Sequence, residues 1–191
     1  VCDFRSLDVA LGGQGAPLVP VGDALLFGEF ATCINLGGFA NGSYQKDNKR
    51  FAHDICPVNV VINPLAEQLG LPYDDRGEIA KNGSPSAAIL DQLNALSFYQ
   101  KEGPKSLGME WVNAEIQPLL EASSLTIEDQ IATITHHAAK QIASALRPGE
   151  NLFTGGGTHN HFLLHLIEHY ASDQIKIVVP KGQLIDFKEA I

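Results

Sequence analysis

Cysteine is scarce in this chain: Cys2, Cys33 and Cys56 are odd in number and scattered, and no two of them form a C-x-x-C pair. That excludes a secreted disulfide framework as the organising device and predicts reduced thiols packed in the core of a cytoplasmic protein. Basic residues are also few, 13 against 22 acidic ones, for a formal net charge of -9. No basic stripe exists to release counterions from a phosphate backbone, so nucleic acid is not an expected partner. No run approaches the ~20 apolar residues that a membrane-spanning helix needs. No basic-then-apolar leader opens the sequence, and a soluble protein with no membrane partner is expected. Internal repeats and low-complexity linkers are missing as well.

What is present is a chain apolar enough to bury a core, 45% hydrophobic and 18% charged. Val1-Cys2-Asp3-Phe4 reads as the end of a strand already in progress, and residues 187–191 stop inside a helical pattern, so both ends are expected to be cut. Residues 30–36 (FATCINL), 39–44 (FANGSY) and 50–55 (RFAHDI) are β-prone runs, punctuated by Gly37-Gly38 and by the polar stretch 45–49. They predict three successive antiparallel strands.

Helical spacing follows over residues 58–69, 86–99 and 127–146. In the last of these, Ile127, Ile131, Ile134, Ala138, Ile142 and Leu146 keep to one face, Thr126 suits an N-cap, and Glu128 and Asp129 suit the helix dipole. Pro148-Gly149 ends it. Then come a strand at residues 151–154, a turn at Gly155-Gly156-Gly157, a helix over 158–170, a strand over 175–179 and a fresh helix from about Leu184. A parallel crossover needs a helix to return the chain to its sheet, so the alternation predicts an α/β mixed sheet covered by helices.

Three places have the residue types for chemistry. In Asn35-Leu36-Gly37-Gly38-Phe39-Ala40-Asn41, a glycine pair fits either an ordinary hairpin or a turn whose bare backbone clamps phosphate oxygens. In Thr154-Gly155-Gly156-Gly157-Thr158-His159-Asn160, a strand runs through three glycines into a helix start, a favourable place for a nucleotide. The turn has neither the Rossmann spacing nor a Walker lysine, and Lys105-Ser106 does not supply one, because Gly103-Pro104 precedes it in place of a glycine cradle. Asp54 ends the third strand, where a carboxylate serves either as a proton acceptor above a phosphate turn or as a helix cap before Pro57. His161, His165 and His169 recur every four residues, but three ligands on one straight helix do not converge on one tetrahedral ion. They are read as structural or solvated, His136 and His137 as helix surface, and no metal ligand is predicted.

Taken together, the run from Asp3-Phe4-Arg5 to Gly12-Gly13-Gln14-Gly15-Ala16-Pro17, the Asn-x-Gly-Gly-x-Ala-Asn turn, Pro104-Lys105-Ser106-x-Gly108-x-Glu110 and the Gly-Gly-Gly-x-x-Asn turn resemble the anhydro-N-acetylmuramic acid kinases. The motifs occur in the family's order and span the chain. The resemblance implies an actin-like fold of the sugar kinase, chaperone and actin superfamily, with residues 1–29 as the tail end of an N-terminal domain and crossover, and 30–191 as the C-terminal ATPase domain. It implies ATP and magnesium as cofactors. The reaction would be phosphorylation of 1,6-anhydro-N-acetylmuramic acid, with water opening the anhydro bridge, to give N-acetylmuramic acid 6-phosphate in peptidoglycan recycling.

Residue by residue, the resemblance assigns Gly37, Gly38 and Asn41 to a phosphate turn and Gly155, Gly156, Gly157 and Asn160 to the adenosine. Asp54 becomes the base that activates water, and Arg5 and Glu189 become sugar-facing. Two family glycines are exchanged, since Asp-Thr-Gly-Pro-Gly-Asn reads here Asp54-Ile55-Cys56-Pro57-Val58-Asn59. The family's first phosphate loop has no counterpart upstream of Asp3, so the isolated chain is expected to be inactive, and its open cleft face suits a homodimer. Two other readings use the same residues: a non-catalytic sugar or nucleotide sensor, selected by ATP binding without ADP release, and a chaperone- or actin-like ATPase, selected by hydrolysis that responds to peptide and ignores sugar.

Overall fold

The computed structural model describes residues 4–12, 20–101, 103, 105–182 and 184–188. Two helices, α1 (Phe4–Ala10) and α2 (Pro20–Leu26), precede the strands β1 (Thr32–Leu36), β2 (Phe39–Lys46) and β3 (Lys49–Pro57). Next come α3 (Asn59–Gln68), α4 (Glu78–Asn82), α5 (Ala87–Asn94), α6 (Ser97–Gln100), α7 (Met109–Trp111), α8 (Gln117–Glu121) and the long α9 (Ile127–Ala145). The chain closes with β4 (Gly149–Thr154), α10 (His161–Tyr170), β5 (Ile175–Val178) and α11 (Leu184–Phe187).

The strands form one five-stranded mixed sheet in the order β3-β2-β1-β4-β5. β1, β2 and β3 are antiparallel neighbours, as their spacing predicts, and β4 and β5 join in parallel. The β2–β3 turn is tight because Asp47 (φ 49°) and Asn48 (φ 58°) both adopt the left-handed conformation that these residues tolerate best. Ile34, Leu36 and Phe153 point to one face of the sheet, where α3, α9 and α10 bury them completely. The opposite face receives α2, whose buried Asp23 accepts from Ser43 and from Lys188 at the end of α11.

Helix α9 forms as its sequence predicts: Thr126 Oγ1 accepts the Asp129 N–H at 3.2 Å, and Ile131, Ile134, Ala138 and Ile142 are fully buried. Three expectations are corrected. Phe4 opens a helix and does not end a strand; residues 1–3 lie outside the described residues. The helix expected over 86–99 breaks into α5 and α6, because Leu96 is extended (φ -56°, ψ 137°) and delivers Phe98 to the core beside Trp111. His137 is not helix surface but core, only 1% exposed.

His137 Nδ1 meets Asn94 Oδ1 at 2.8 Å and Nε2 meets the Tyr99 hydroxyl at 2.9 Å, an arrangement that suits the neutral ring. Burial, with a smaller contribution from Lys140, lowers its pKa to about 3. The unfolded chain protonates this histidine near pH ~6.5 while the fold resists, so its contribution is complete above that pH and lost as pH falls toward 3. Unfolding by denaturant at stepped pH is expected to show declining stability below pH ~6.5. His137→Gln should flatten that decline.

Candidate functional site

The site grows out of the parallel pairing of β1 with β4. Asn35 lies opposite Thr154, so the two strands end side by side and the bends that follow them meet. A Cβ at Gly155 (φ 88°) would come within 2.5 Å of Asn35 Oδ1 and 2.7 Å of the Leu36 carbonyl oxygen. One at Gly157 would lie 2.8 Å from Leu36 Cβ. Only glycine allows this approach. Gly156 differs, because nothing lies within 4 Å of its missing Cβ; it is exposed and faces open space.

The register extends across the sheet. Asn35 pairs with Asn41, and Asn41 with Asp54, so Thr154, Asn35, Asn41 and Asp54 form one row across β4, β1, β2 and β3. The β2–β3 pairing shifts between Ala40 and Asn41, which brings Asn41 opposite Asp54. By strand alternation the row faces away from the side packed by α3, α9 and α10. Asn35, Asn41 and Asp54 are all half-buried.

Gly37 and Gly38 make the β1–β2 bend, closed by the Gly37 N–H donating to the Phe39 carbonyl at 3.2 Å. The Gly38 carbonyl accepts from the Val58 and Val60 N–H groups at 2.8 and 3.2 Å and so ties the bend to the first turn of α3. A Cβ there would meet Val60 Cγ1 at 2.6 Å. Glycine at 38 is thus required by packing, whatever else the bend does.

Asp54 is not a helix cap; Val58 occupies the cap position of α3. Its carboxylate Oδ2 accepts the Leu107 N–H at 2.8 Å, and its own N–H donates to the Lys105 carbonyl at 2.9 Å. Burial raises its pKa, and the Leu107 bond opposes part of that shift. The substituted family glycines do not obstruct this carboxylate. Cys56 is fully buried with Sγ toward the Ala138 carbonyl at 3.8 Å, and Val58 is fully buried too.

Beside the triple-glycine turn lies a cavity of about 570 Å³, lined by Gly156, Gly157, His159 and Asn160, by Asn59 and Asn63 of α3, and by the loop through Arg76. Its volume suits a nucleoside. Arg76 has a left-handed backbone (φ 56°), rare for such a side chain, and the loop is held by Asp74, whose carboxylate accepts the Ile79 and Ala80 N–H groups at 2.7 and 3.0 Å. Asn160 lines the cavity, but its Oδ1 caps α10 by accepting the Leu163 N–H at 2.9 Å.

The structure therefore brings together Gly37, Gly38, Asn41, Asp54, Gly155, Gly156 and Gly157 around the ends of β1 and β4, with Asn160 at the cavity wall. Glu189 lies outside the described residues. Arg5 falls in α1, and its side chain lies outside the described residues. Sequence reasoning gave no role to Asn59, Asn63, Arg76 or the two-point contact of residues 105 and 107 with Asp54; Asn59 and Lys105 lie in motifs that carry the family resemblance, while nothing local signals Asn63, Arg76 or Leu107.

A family model described as anhydro-N-acetylmuramic acid kinase matches residues 1–191, the whole chain. The chain belongs to the anhydro-N-acetylmuramic acid kinase family. The family's protein of that name in Crocosphaera subtropica is 33% identical over 222 aligned residues, covering 100% of this chain and 56% of that protein. The one in Salinibacter ruber is 35% identical over 214 residues, covering 100% and 53%. The chain thus spans about half the length of the curated relatives it matches. Among solved structures, (R)-2-hydroxyglutaryl-CoA dehydratase component A of Acidaminococcus fermentans superposes with a TM-score of 0.52 at 17% identity, over 88% of this chain and 61% of that one. The likeness shows the fold, that of the actin-like ATPases.

A carboxyl whose pKa is raised by folding favours the fold while protonated and loses that contribution as pH rises above its unfolded value. Ionised Asp54 therefore costs the fold stability at neutral pH. Asp54→Asn, which keeps an acceptor for Leu107, is expected to raise the thermal midpoint at pH 7. The advantage should vanish toward pH ~4 in scans at stepped pH.

Proposed function

We propose that these residues form the nucleotide-closing half of a carbohydrate kinase that phosphorylates 1,6-anhydro-N-acetylmuramic acid with ATP in the cytoplasm, a step of peptidoglycan recycling. Residues 30–191 are the C-terminal actin-like domain, and 1–29 the tail of the N-terminal domain with its crossover. The observation that carries this reading is the meeting of the Gly37-Gly38 and Gly155–Gly157 bends at one end of the sheet, with Asp54 in the row of residues just behind them. Membership of the family supports it.

The residues present fit a nucleotide. The adenosine would occupy the cavity against Gly156, Gly157 and Asn160, whose polar wall includes Asn59 and Asn63. The phosphates would cross the adjoining bends, where a missing Cβ at Gly156 leaves room. Among the described residues no group of three or more His, Cys, Asp or Glu side chains gathers to hold a metal. Mg²⁺ bound with the nucleotide would neutralise charge on the transferring group.

In the reaction, Asp54 takes a proton from water as the water oxygen bonds to the anomeric carbon. The bond from that carbon to O6 breaks, and O6 bonds to the γ-phosphorus as ADP leaves. Burial of Asp54 raises its basicity, which suits a base that must accept a proton in the transition state. The side chains that replace the family glycines at 56 and 58 turn into the core, away from that carboxylate, which argues against the sensor reading.

Gly156→Val tests the nucleotide assignment, because a Cβ at this position has no protein atom within 4 Å. It should leave the thermal midpoint unchanged and weaken ATP binding by calorimetry at least ~10-fold, about 1.4 kcal/mol. Unchanged affinity would remove the nucleotide from this turn. In the full-length kinase, Asp54→Asn should lower kcat by ~10²–10⁴ and leave the ATP KM near wild type. These 191 residues in isolation, which span about half the length of the curated relatives, should release no ADP, because such a piece supplies only part of the positioning.

A further inference from the structure

The contact between Asp54 and the loop ahead of α7 is not accounted for by substrate or nucleotide binding. Among the described strands β3 is at the edge of the sheet, so the N–H of Asp54 that turns outward meets no described strand. The loop supplies the partner, the Lys105 carbonyl at 2.9 Å, and two residues later the Leu107 N–H reaches back to Oδ2 at 2.8 Å. Residues 105 and 107 thus grip one residue at two points, main chain and carboxylate. Among the described residues no donor meets the other oxygen, Oδ1.

The loop is itself anchored by the Lys105 side chain. Its ammonium donates to the Phe98 and Lys101 carbonyls, both at 3.1 Å, and stands 4.6 Å from the centre of the Phe98 ring. Phe98 is 4% exposed and packs with Tyr99 and Trp111, and the Tyr99 hydroxyl meets His137 on α9. A chain of contacts runs from the long buried helix, through an aromatic cluster and one lysine, to the carboxylate.

We propose that Lys105 is a positioning residue for Asp54: by fixing the loop it holds the Leu107 N–H on Oδ2, which locks the carboxylate in place and leaves Oδ1 to take the proton. The inference rests on the reading of Asp54 as the base. It assigns a task to Lys105 that differs from phosphate binding, since its ammonium is spent on two carbonyls of its own neighbourhood. Loss of the anchor would let the carboxylate swing, and a misplacement of ~1 Å in a reacting group is enough to cost up to ~100-fold in rate.

The test compares Lys105→Met, Lys105→Arg, Leu107→Pro and Asp54→Asn in the full-length kinase, with kcat, the ATP KM and the sugar KM measured for each. Lys105→Met should lower kcat ~10- to 100-fold with both KM values within about twofold of wild type, because binding is untouched and only the base is displaced. Lys105→Arg, which restores a cationic donor, should recover most of the rate. Leu107→Pro deletes the donor itself with Lys105 in place and should reproduce the kcat loss. Wild-type kcat in Lys105→Met or in Leu107→Pro, with Asp54→Asn inactive, overturns the positioning role and leaves the base intact. A rise in the ATP KM of Lys105→Met with kcat preserved overturns it in favour of nucleotide binding. Full activity in Asp54→Asn overturns the reading beneath it.

Discussion

The close approach of two backbone bends governs the rest of this structure. β1 and β4 run in parallel and end together, so the turn after β4 must pass over the carbonyl of Leu36 at distances that leave no space for a Cβ at Gly155 or Gly157. That crowding is costly unless both residues are glycine, and it aligns the start of α10 with the bend at Gly37-Gly38. A single register thereby sets the floor of the cavity, the direction of α10 and the row of polar residues from Thr154 to Asp54. A slip of one residue in β1 would turn Asn35 into the core and Leu36 out of it.

Within this arrangement the three glycines have separate tasks. Gly155 and Gly157 are demanded by the neighbouring strand, while Gly156 meets nothing and opens onto the cavity. The Gly38 bend is tied to the first turn of α3 by two backbone bonds, so α3 moves with the bend and brings Asn59 and Asn63 to the same cavity. Rigid supports of this kind let a kinase work by positioning and charge neutralisation, with little covalent chemistry of its own. The exchanged residues at 56 and 58 fit the same logic, since the fold needs them as core and their side chains leave the carboxylate's surroundings open.

Much of the fold was legible in the sequence because the strongest signals are local. The polar stretch at 45–49, the glycine bends and the isoleucine stripe of α9 report their own conformations, and the mixed sheet follows from their order. Leu96 has no such signature: its extended backbone separates α5 from α6, and Phe98 then packs against Tyr99 and Trp111. The segment from α7 to α8 carries no single helical period to read, because a wide π turn over Val112–Ile116 separates α7 from α8, where Pro118 sits in the first turn. At the site, the glycines and Asp54 were visible as residue types in a pattern. Asn63, Arg76 and Leu107 were not, because their roles depend on chain segments tens of residues apart.

The central claim is that one hollow at the ends of β1 and β4 holds a nucleotide in reach of Asp54. A crystal structure of the full-length kinase with a non-hydrolysable ATP analogue and the anhydro-sugar tests it most directly. The account predicts adenosine density against Gly156 and Gly157, phosphates over the Gly37-Gly38 bend, and Asp54 Oδ1 within hydrogen-bond distance of a water at the anomeric carbon. Nucleotide density away from the triple-glycine turn, or a sugar beyond the reach of Asp54, would contradict it.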